Sequence, residues 1–251
     1  MEGTMFWVLA TLAAMFVGIS KGGLPMAGAI AVPLLALEIS PVAAAGLLLP
    51  VYVVSDMFGL WAYRHEFNKR VVAIVVAGAV VGIGLGWAVA ALATQADEER
   101  WVTLLVGLIG LTFVINRLIH HRKPRDAEPP RVGRGLFWGA ITGFTSFVSH
   151  SGAPPYQVYT LPLKMTRTMF AGTTTVTFAI INAVKLIPYF FLGQINTHSL
   201  EIAAVLAIPA AIAVFIGVWL VKVMSEKLYF TVILSALFVL SLKLIWDGIM
   251  G

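Results

Sequence analysis

The sequence predicts an all-α polytopic membrane protein of two inverted repeats. Each repeat is a Gly/Pro-broken re-entrant helical hairpin followed by three transmembrane helices, giving about eight hydrophobic helical segments in all. Three observations lead there. The 251-residue chain is 59% hydrophobic and 12% charged, against roughly 25% charged in an ordinary soluble domain. Several apolar stretches exceed the ~20 residues needed to cross a bilayer. Finally, Ser20-Lys21-Gly22-Gly23-Leu24-Pro25 and Ser149-His150-Ser151-Gly152-Ala153-Pro154 align without gaps, in a register that holds to Pro33 and Pro162.

The elements follow in order. The stretch 5–37 is apolar but broken by Gly, Ser and Pro into arms of ~10–15 residues, each covering half to two-thirds of a ~30 Å hydrocarbon core. Long apolar helices are expected at 41–63, 70–93 and 99–117. Residues 118–134 are polar and hold His120-His121, several basic residues and Pro129-Pro130, which marks a cytoplasmic linker. A second broken stretch, 135–163, precedes apolar helices at 168–192, 200–222 and 228–247. This divides the chain into a first repeat, 1–117, the linker, and a second repeat, 135–251. With an offset three residues shorter than in the hairpins, Gly46 pairs with Gly172, Asp56 with Asn182 and Tyr63 with Tyr189. One hairpin plus three spans is an odd number of crossings, so two such halves are inverted relative to one another.

Charge favours hairpins over crossings. If both broken stretches turn back and both termini are outside, the loops place 13 Lys and Arg residues inside and two, Arg100 and Lys243, outside. If both cross, Lys164, Arg167, Lys222 and Lys227 move outside, Lys243 moves inside, and the count becomes ten against five. The positive-inside rule selects the first arrangement. The net charge of +5 lies in these short loops and gives no reason to expect nucleic acid. With no cysteine, disulfides and thiol chemistry are excluded. Glu2 stands where a signal peptide has a basic n-region, and the first apolar run leads directly into the first motif, so no signal peptide is expected. His120-His121 lacks metal-ligand spacing, and no metal or cofactor is expected.

The breaks carry the candidate chemistry. Pro25 and Pro154 sit where a helix begins. The arms they open would turn free amides and a positive dipole end towards the membrane centre. Ser20, Ser149 and Ser151 would add hydroxyls, and Gly22, Gly23 and Gly152 would let the backbone approach a ligand. This combination suits a small oxyanion. Lys21, in the first break, either binds the anion or forms a structural pair with Asp56, since an intramembrane charge needs a partner or a role. His150, its counterpart, either senses or carries a proton or is a neutral hydrogen-bonded histidine. Asn182 and Lys185 lie deep in 168–192 on one face with Tyr189. Asp56 is a candidate for proton coupling, as is His150, or for holding Lys21 or Lys185 in the empty state. Lys185 is a substrate ligand or merely neutralises Asp56. Tyr156 and Gln157 line the pocket or pack. The run Thr173, Thr174, Thr175 and Thr177 suggests interhelical hydrogen bonds, and Gly78, Gly82 and Gly86 suggest close helix packing.

At these residues, and above all over Gly18 to Pro25 and Gly143 to Pro154, the chain resembles the sulfite exporter TauE/SafE family of membrane proteins. The resemblance covers nearly the whole chain. It departs from the commonest glycine-rich form in carrying Lys21 in the first break and His150 in the second. It implies a transporter, not an enzyme. The substrate class it implies is a small sulfur-containing oxyanion, sulfite or an organosulfonate, moved outward across the bacterial inner membrane. Joined to the repeat, this predicts a secondary transporter working by alternating access, with proton coupling through Asp56 or His150 as one energy source and the substrate gradient alone as another. A passive anion channel, an uptake transporter for another small anion, and an intramembrane enzyme stay open as rivals. The expected partners are a small anion and the lipid bilayer. The oligomeric state is not readable.

Overall fold

The computed structural model describes residues 3–39, 41–92, 104, 107–115, 118, 127–193 and 197–250. These residues are helical, with short turns between helices and no strand among them. In chain order the elements are α1 (Thr4–Lys21), a 3-10 turn at Pro25–Ala27, α2 (Gly28–Leu35), α3 (Pro41–Tyr63), α4 (Lys69–Leu92) and the helical residues 107–115 (α5). They continue with α6 (Val132–Ser149), α7 (Ala153–Thr160), a second 3-10 turn at Leu161–Leu163, α8 (Arg167–Phe191), α9 (Thr197–Val223) and α10 (Glu226–Met250). Six helices are long and apolar enough to cross a membrane: α1, α3, α4, α8, α9 and α10. The rest of the expected 99–117 span, and His120-His121 of the linker, lie outside the described residues.

Both broken stretches fold back, α2 against α1 and α7 against α6, but the arms are less equal than the composition suggests. The first arms, α1 and α6, have 18 residues each. The returning helices have 8 each and extend by one 3-10 turn. An 18-residue helix rises about 27 Å, close to the full hydrocarbon core, and the returning arm covers about half of it. The reason is that glycines before each break do not end the helix. Gly18 and Gly143 are helical, and neighbouring backbone lies against both. The helix stops only where φ turns positive, or where glycine leads into proline.

The two breaks solve that problem differently. After α1, the amides of Gly22, Gly23 and Leu24 donate back to the carbonyls of Gly18, Ser20 and Ile19 at 2.9, 3.2 and 3.4 Å. Gly23 takes φ +113°, a conformation that glycine enters without a Cβ penalty. After α6, His150 itself is left-handed, with φ 54°. Histidine is among the few residues enriched there. Pro154 then lies in the first turn of α7, where its missing N–H costs nothing.

The helices group into two compact units, each drawing on both halves of the chain. One comprises residues 1–68 and 167–225, hence α1, α2, α3, α8 and α9. The other comprises 69–166 and 226–251, hence α4 to α7 and α10. In the first unit Phe6, Ala10, Ala14 and Val17 of α1 pack with Leu35 of α2, Leu48 and Val51 of α3, and Leu206 and Ala210 of α9. Small residues bring α1 and α9 together. A Cβ on Gly18 would strike the Ala210 carbonyl, and one on Gly22 the Val214 carbonyl and Gly217. Such contact matters in lipid, where apolar burial gives helices little reason to associate.

The second unit has the same device. Gly78 and Gly82 of α4 face the carbonyls of Leu136 and Ala140, while Gly139 and Gly143 of α6 face those of Val75 and Ala79. Gly86 meets the Phe147 ring. The packing role expected for the α4 glycines therefore holds, and α6 supplies a matching row. A Gly82→Leu substitution is expected to force α4 and α6 apart, at a cost of about 1–3 kcal/mol or more. Gly84→Leu, whose Cβ would meet nothing within 4 Å, is the control. Thermal melting in detergent should drop for the first variant and not for the second.

Candidate functional site

Lys21 is the last residue of α1, so its side chain leaves the helix at the break. The backbone there is clamped from two neighbouring helices. The Thr175 hydroxyl of α8 donates to the Lys21 carbonyl at 3.0 Å, and the Tyr63 hydroxyl of α3 donates to the Gly22 carbonyl at 2.6 Å. These bonds satisfy carbonyls that the end of α1 leaves without helical partners. Farther along the hairpin, Tyr52 donates to the Gly28 carbonyl at 2.8 Å. Gly59 of α3 leaves room for this packing, since a Cβ on it would press into the Thr175 methyl and the Lys21 carbonyl.

The Lys21 ammonium meets Asp56 of α3. Nζ lies 2.8 Å from Oδ1, and the second carboxylate oxygen accepts a hydrogen bond from Asn182 Nδ2 of α8, also at 2.8 Å. The ammonium also sits 5.0 Å from the centre of the Tyr52 ring and 6.0 Å from that of Phe178, within cation–π range. Lys185, three residues beyond Asn182, has its ammonium 5.7 Å from the Tyr189 ring centre and interacts electrostatically with both Lys21 and Asp56. All four polar side chains are almost inaccessible, at 4%, 3%, 4% and 1% for Lys21, Asp56, Asn182 and Lys185. Among the described residues, Lys21, Asp56 and Lys185 are the only buried side chains that carry formal charge.

The structure thus gathers Lys21, Asp56, Asn182 and Lys185 from α1, α3 and α8. The remaining residues singled out at the first break have local duties. Ser20 donates to the Val17 carbonyl of its own helix at 2.7 Å. Gly22 and Gly23 serve close packing and the turn, with their amides bonded back into α1. At this break the amides of Gly22, Gly23 and Leu24 are bonded back into α1, whereas composition left them open to a ligand.

Ser149, His150, Ser151 and Gly152 belong to the other unit. Ser149 closes α6, and its side chain lies outside the described residues. Ser151 is buried, with its amide 3.3 Å from the Thr145 carbonyl. Gly152 is the N-cap of α7. Pro154 and Pro155 remove two of the amides that a helix start would otherwise offer. Beyond them Tyr156 and Gln157 are fully buried, and neither end of the Gln157 amide has a hydrogen-bond partner among the described residues. The threonine run of α8 makes the expected interhelical bond at one position only. Thr173, Thr174 and Thr177 donate to carbonyls one turn back in their own helix, and Thr175 reaches across to Lys21.

Sequence reasoning passed over Tyr52 and Phe178, although a signal existed. The offset that pairs Asp56 with Asn182 also pairs Tyr52 with Phe178, and these two rings flank the same ammonium. The matched pair Asp56 and Asn182 is itself joined by a hydrogen bond.

Six helices of spanning length and apolarity, with a charge cluster buried among three of the chain's helices, define a multi-span membrane protein. The model of the sulfite exporter TauE/SafE family matches residues 10–244, and the chain belongs to that family of transmembrane transporters. No curated protein and no solved structure matches it.

Proposed function

We propose that the chain is a secondary transporter that exports a small sulfur-containing oxyanion, sulfite or an organosulfonate, across the bacterial inner membrane. The observation that carries this reading is the sign of the buried charge. Two lysines and one aspartate lie together in helices α1, α3 and α8, which in their charged forms leave a formal excess of one positive charge. An uncompensated buried charge is costly, and a bound anion is its natural complement. Asn182 and Lys185, with Lys21, are the proposed substrate donors in this unit. Ser149, His150, Ser151 and Gly152 are also proposed as substrate-binding residues, at the second break, and Ser20, Gly22 and Gly23 as those that shape the first. Asp56 and His150 are the proposed coupling groups.

Alternating access between repeats 1–117 and 135–251, joined by a cytoplasmic linker at 118–134 with both termini periplasmic, is the proposed mechanism. Its support is the pairing of equivalent positions. Asp56 bonds to Asn182, α3 packs on α8, and Tyr52 and Phe178 flank one ammonium. Residues that touch their own counterparts lie near an axis relating the two halves, as at a two-fold interface. Inverted repeats with binding at their meeting point are a frequent transporter plan.

Labelled sulfite flux into proteoliposomes, with and without an imposed pH gradient, tests the proposal. Flux above that of empty liposomes, saturable and responsive to the gradient, is expected. Saturable flux indifferent to pH would remove proton coupling. Conductance without substrate exchange would make the protein a channel, and no flux would remove sulfite as the substrate.

A further inference from the structure

The arithmetic of the buried cluster goes one step past transport of an anion. Asp56 holds Lys21 through one oxygen and Asn182 through the other, at 2.8 Å each. A carboxylate bridging an ammonium and an amide is also what an oxyanion does when it presents two oxygens to the same donors. Asp56 therefore occupies, within the protein, a position that an anionic substrate would compete for.

With both lysines charged and Asp56 ionised the cluster carries a formal +1, and one monoanion neutralises it. With a proton on Asp56 the cluster carries +2, its ion pair with Lys21 becomes a neutral hydrogen bond, and a dianion neutralises it. In low dielectric the balanced states are strongly preferred over the unbalanced ones. We infer that Asp56 sets the charge class of the anion this site accepts, so that a monoanion binds with no proton and a dianion binds together with one proton on Asp56. The inference rests on the transporter reading above. The proton comes from water on the side to which the site is open, and it returns to water when the dianion leaves. Each occupied state then moves the same net charge, one negative. Sulfite and its hydrogen form, both present near neutral pH, become equivalent cargoes, and a permanently monoanionic sulfonate needs no proton.

Among the described residues the groups facing Asp56 are few. Lys21 approaches from α1 and Lys185 from α8, and Tyr52 lies one turn away on α3. Helix α2 has no titratable residue. On α9 the exposed Glu201 and Lys222 lie near its two ends. His150 belongs to the other unit and is not part of the count.

The test measures binding to the purified full chain in detergent, as a ligand-induced rise in melting temperature. The probes are methanesulfonate, a monoanion, and sulfate, a dianion, titrated between about pH 8 and about pH 6. Uptake of one proton makes affinity rise about tenfold per pH unit of acidification, so sulfate is expected to approach that slope while methanesulfonate stays nearly flat. In Asp56→Asn, which mimics the protonated carboxyl, sulfate binding should lose its slope and exceed the wild type at the higher pH. Should that variant not fold, Lys185→Gln decides. It lowers the cluster by one charge, so sulfate binding should be lost and methanesulfonate binding should acquire the proton slope. Equal slopes for the two anions in the wild type, or a sulfate slope that survives in Asp56→Asn, would overturn the inference and leave the transporter reading standing. Binding of neither anion by the wild type would overturn both.

Discussion

Lys21→Ala is expected to yield a folded protein whose anion binding and flux are abolished or greatly weakened. The two halves of this result have separate causes. Folding survives because Asp56 keeps its hydrogen bond to Asn182 and its charge remains compensated by Lys185. The clamp on the break also survives, since Thr175 and Tyr63 bind backbone carbonyls and not the lysine side chain. Binding weakens because the substrate loses one of its two proposed ammonium donors, and because the cluster falls from +1 to neutral, so that even a monoanion then needs a proton on Asp56. A hydrogen bond to a charged group contributes about 1.5–3 kcal/mol, so affinity should fall roughly 10- to 150-fold from that contact alone, and further from the lost net charge. Lys21→Met, which restores most of the volume between the Tyr52 and Phe178 rings, should bind no better than Lys21→Ala. Equilibrium binding in detergent and flux in proteoliposomes read the loss, and circular dichroism and melting read the fold. Wild-type affinity in Lys21→Ala would take Lys21 out of the site and reduce its contact with Asp56 to a structural ion pair.

The contrast between what the sequence disclosed and what it withheld has a physical pattern. Helix boundaries were legible because apolar runs of bilayer length have few competing interpretations. Thus α3 begins at Pro41 and ends at Tyr63 as the run does, and α8 begins within a residue of its expected start. The approach of Lys21 to Asp56 was also foreseeable, because an intramembrane charge demands a partner and few are on offer. Hairpin arm lengths were not. Arms of ~10–15 residues were expected, yet Gly18 and Gly143 lie inside helices of 18, each with a neighbouring backbone where its Cβ would be. The direction of the amides at the first break was hidden for a related reason. Whether Gly22 to Leu24 turn towards a ligand or back into α1 depends on φ at Gly23, and both outcomes suit the same residues. The destination of the threonine hydroxyls was likewise open. A helical threonine bonds one turn back unless a better acceptor comes into reach, and only Thr175 has the Lys21 carbonyl before it.

Asp56→Ala is the converse experiment and should have the opposite character, with an unstable protein rescued by anions. Removing the carboxylate leaves two buried ammonium groups that repel each other, and Asn182 loses its acceptor. Breaking a buried pair by deleting one partner typically costs about 3–5 kcal/mol, because the surviving charge is left uncompensated. Melting in chloride-poor buffer should drop accordingly. The deficit is electrostatic and local, so an anion small enough to enter should restore part of it. A ligand present at 100 times its dissociation constant stabilises by about 2.7 kcal/mol. Sulfate should therefore raise the melting temperature of Asp56→Ala more than that of the wild type at equal concentration. A sulfate-independent loss would mean that Asp56 stabilises the fold through its hydrogen bond to Asn182 and not through charge. Lys21→Met combined with Asp56→Leu separates the two further. Deleting both partners leaves Lys185 as the one buried ammonium, so the double variant should recover stability relative to Asp56→Ala while remaining inactive. A double variant that still transports would show that the Lys21–Asp56 pair is dispensable and that the anion is held elsewhere.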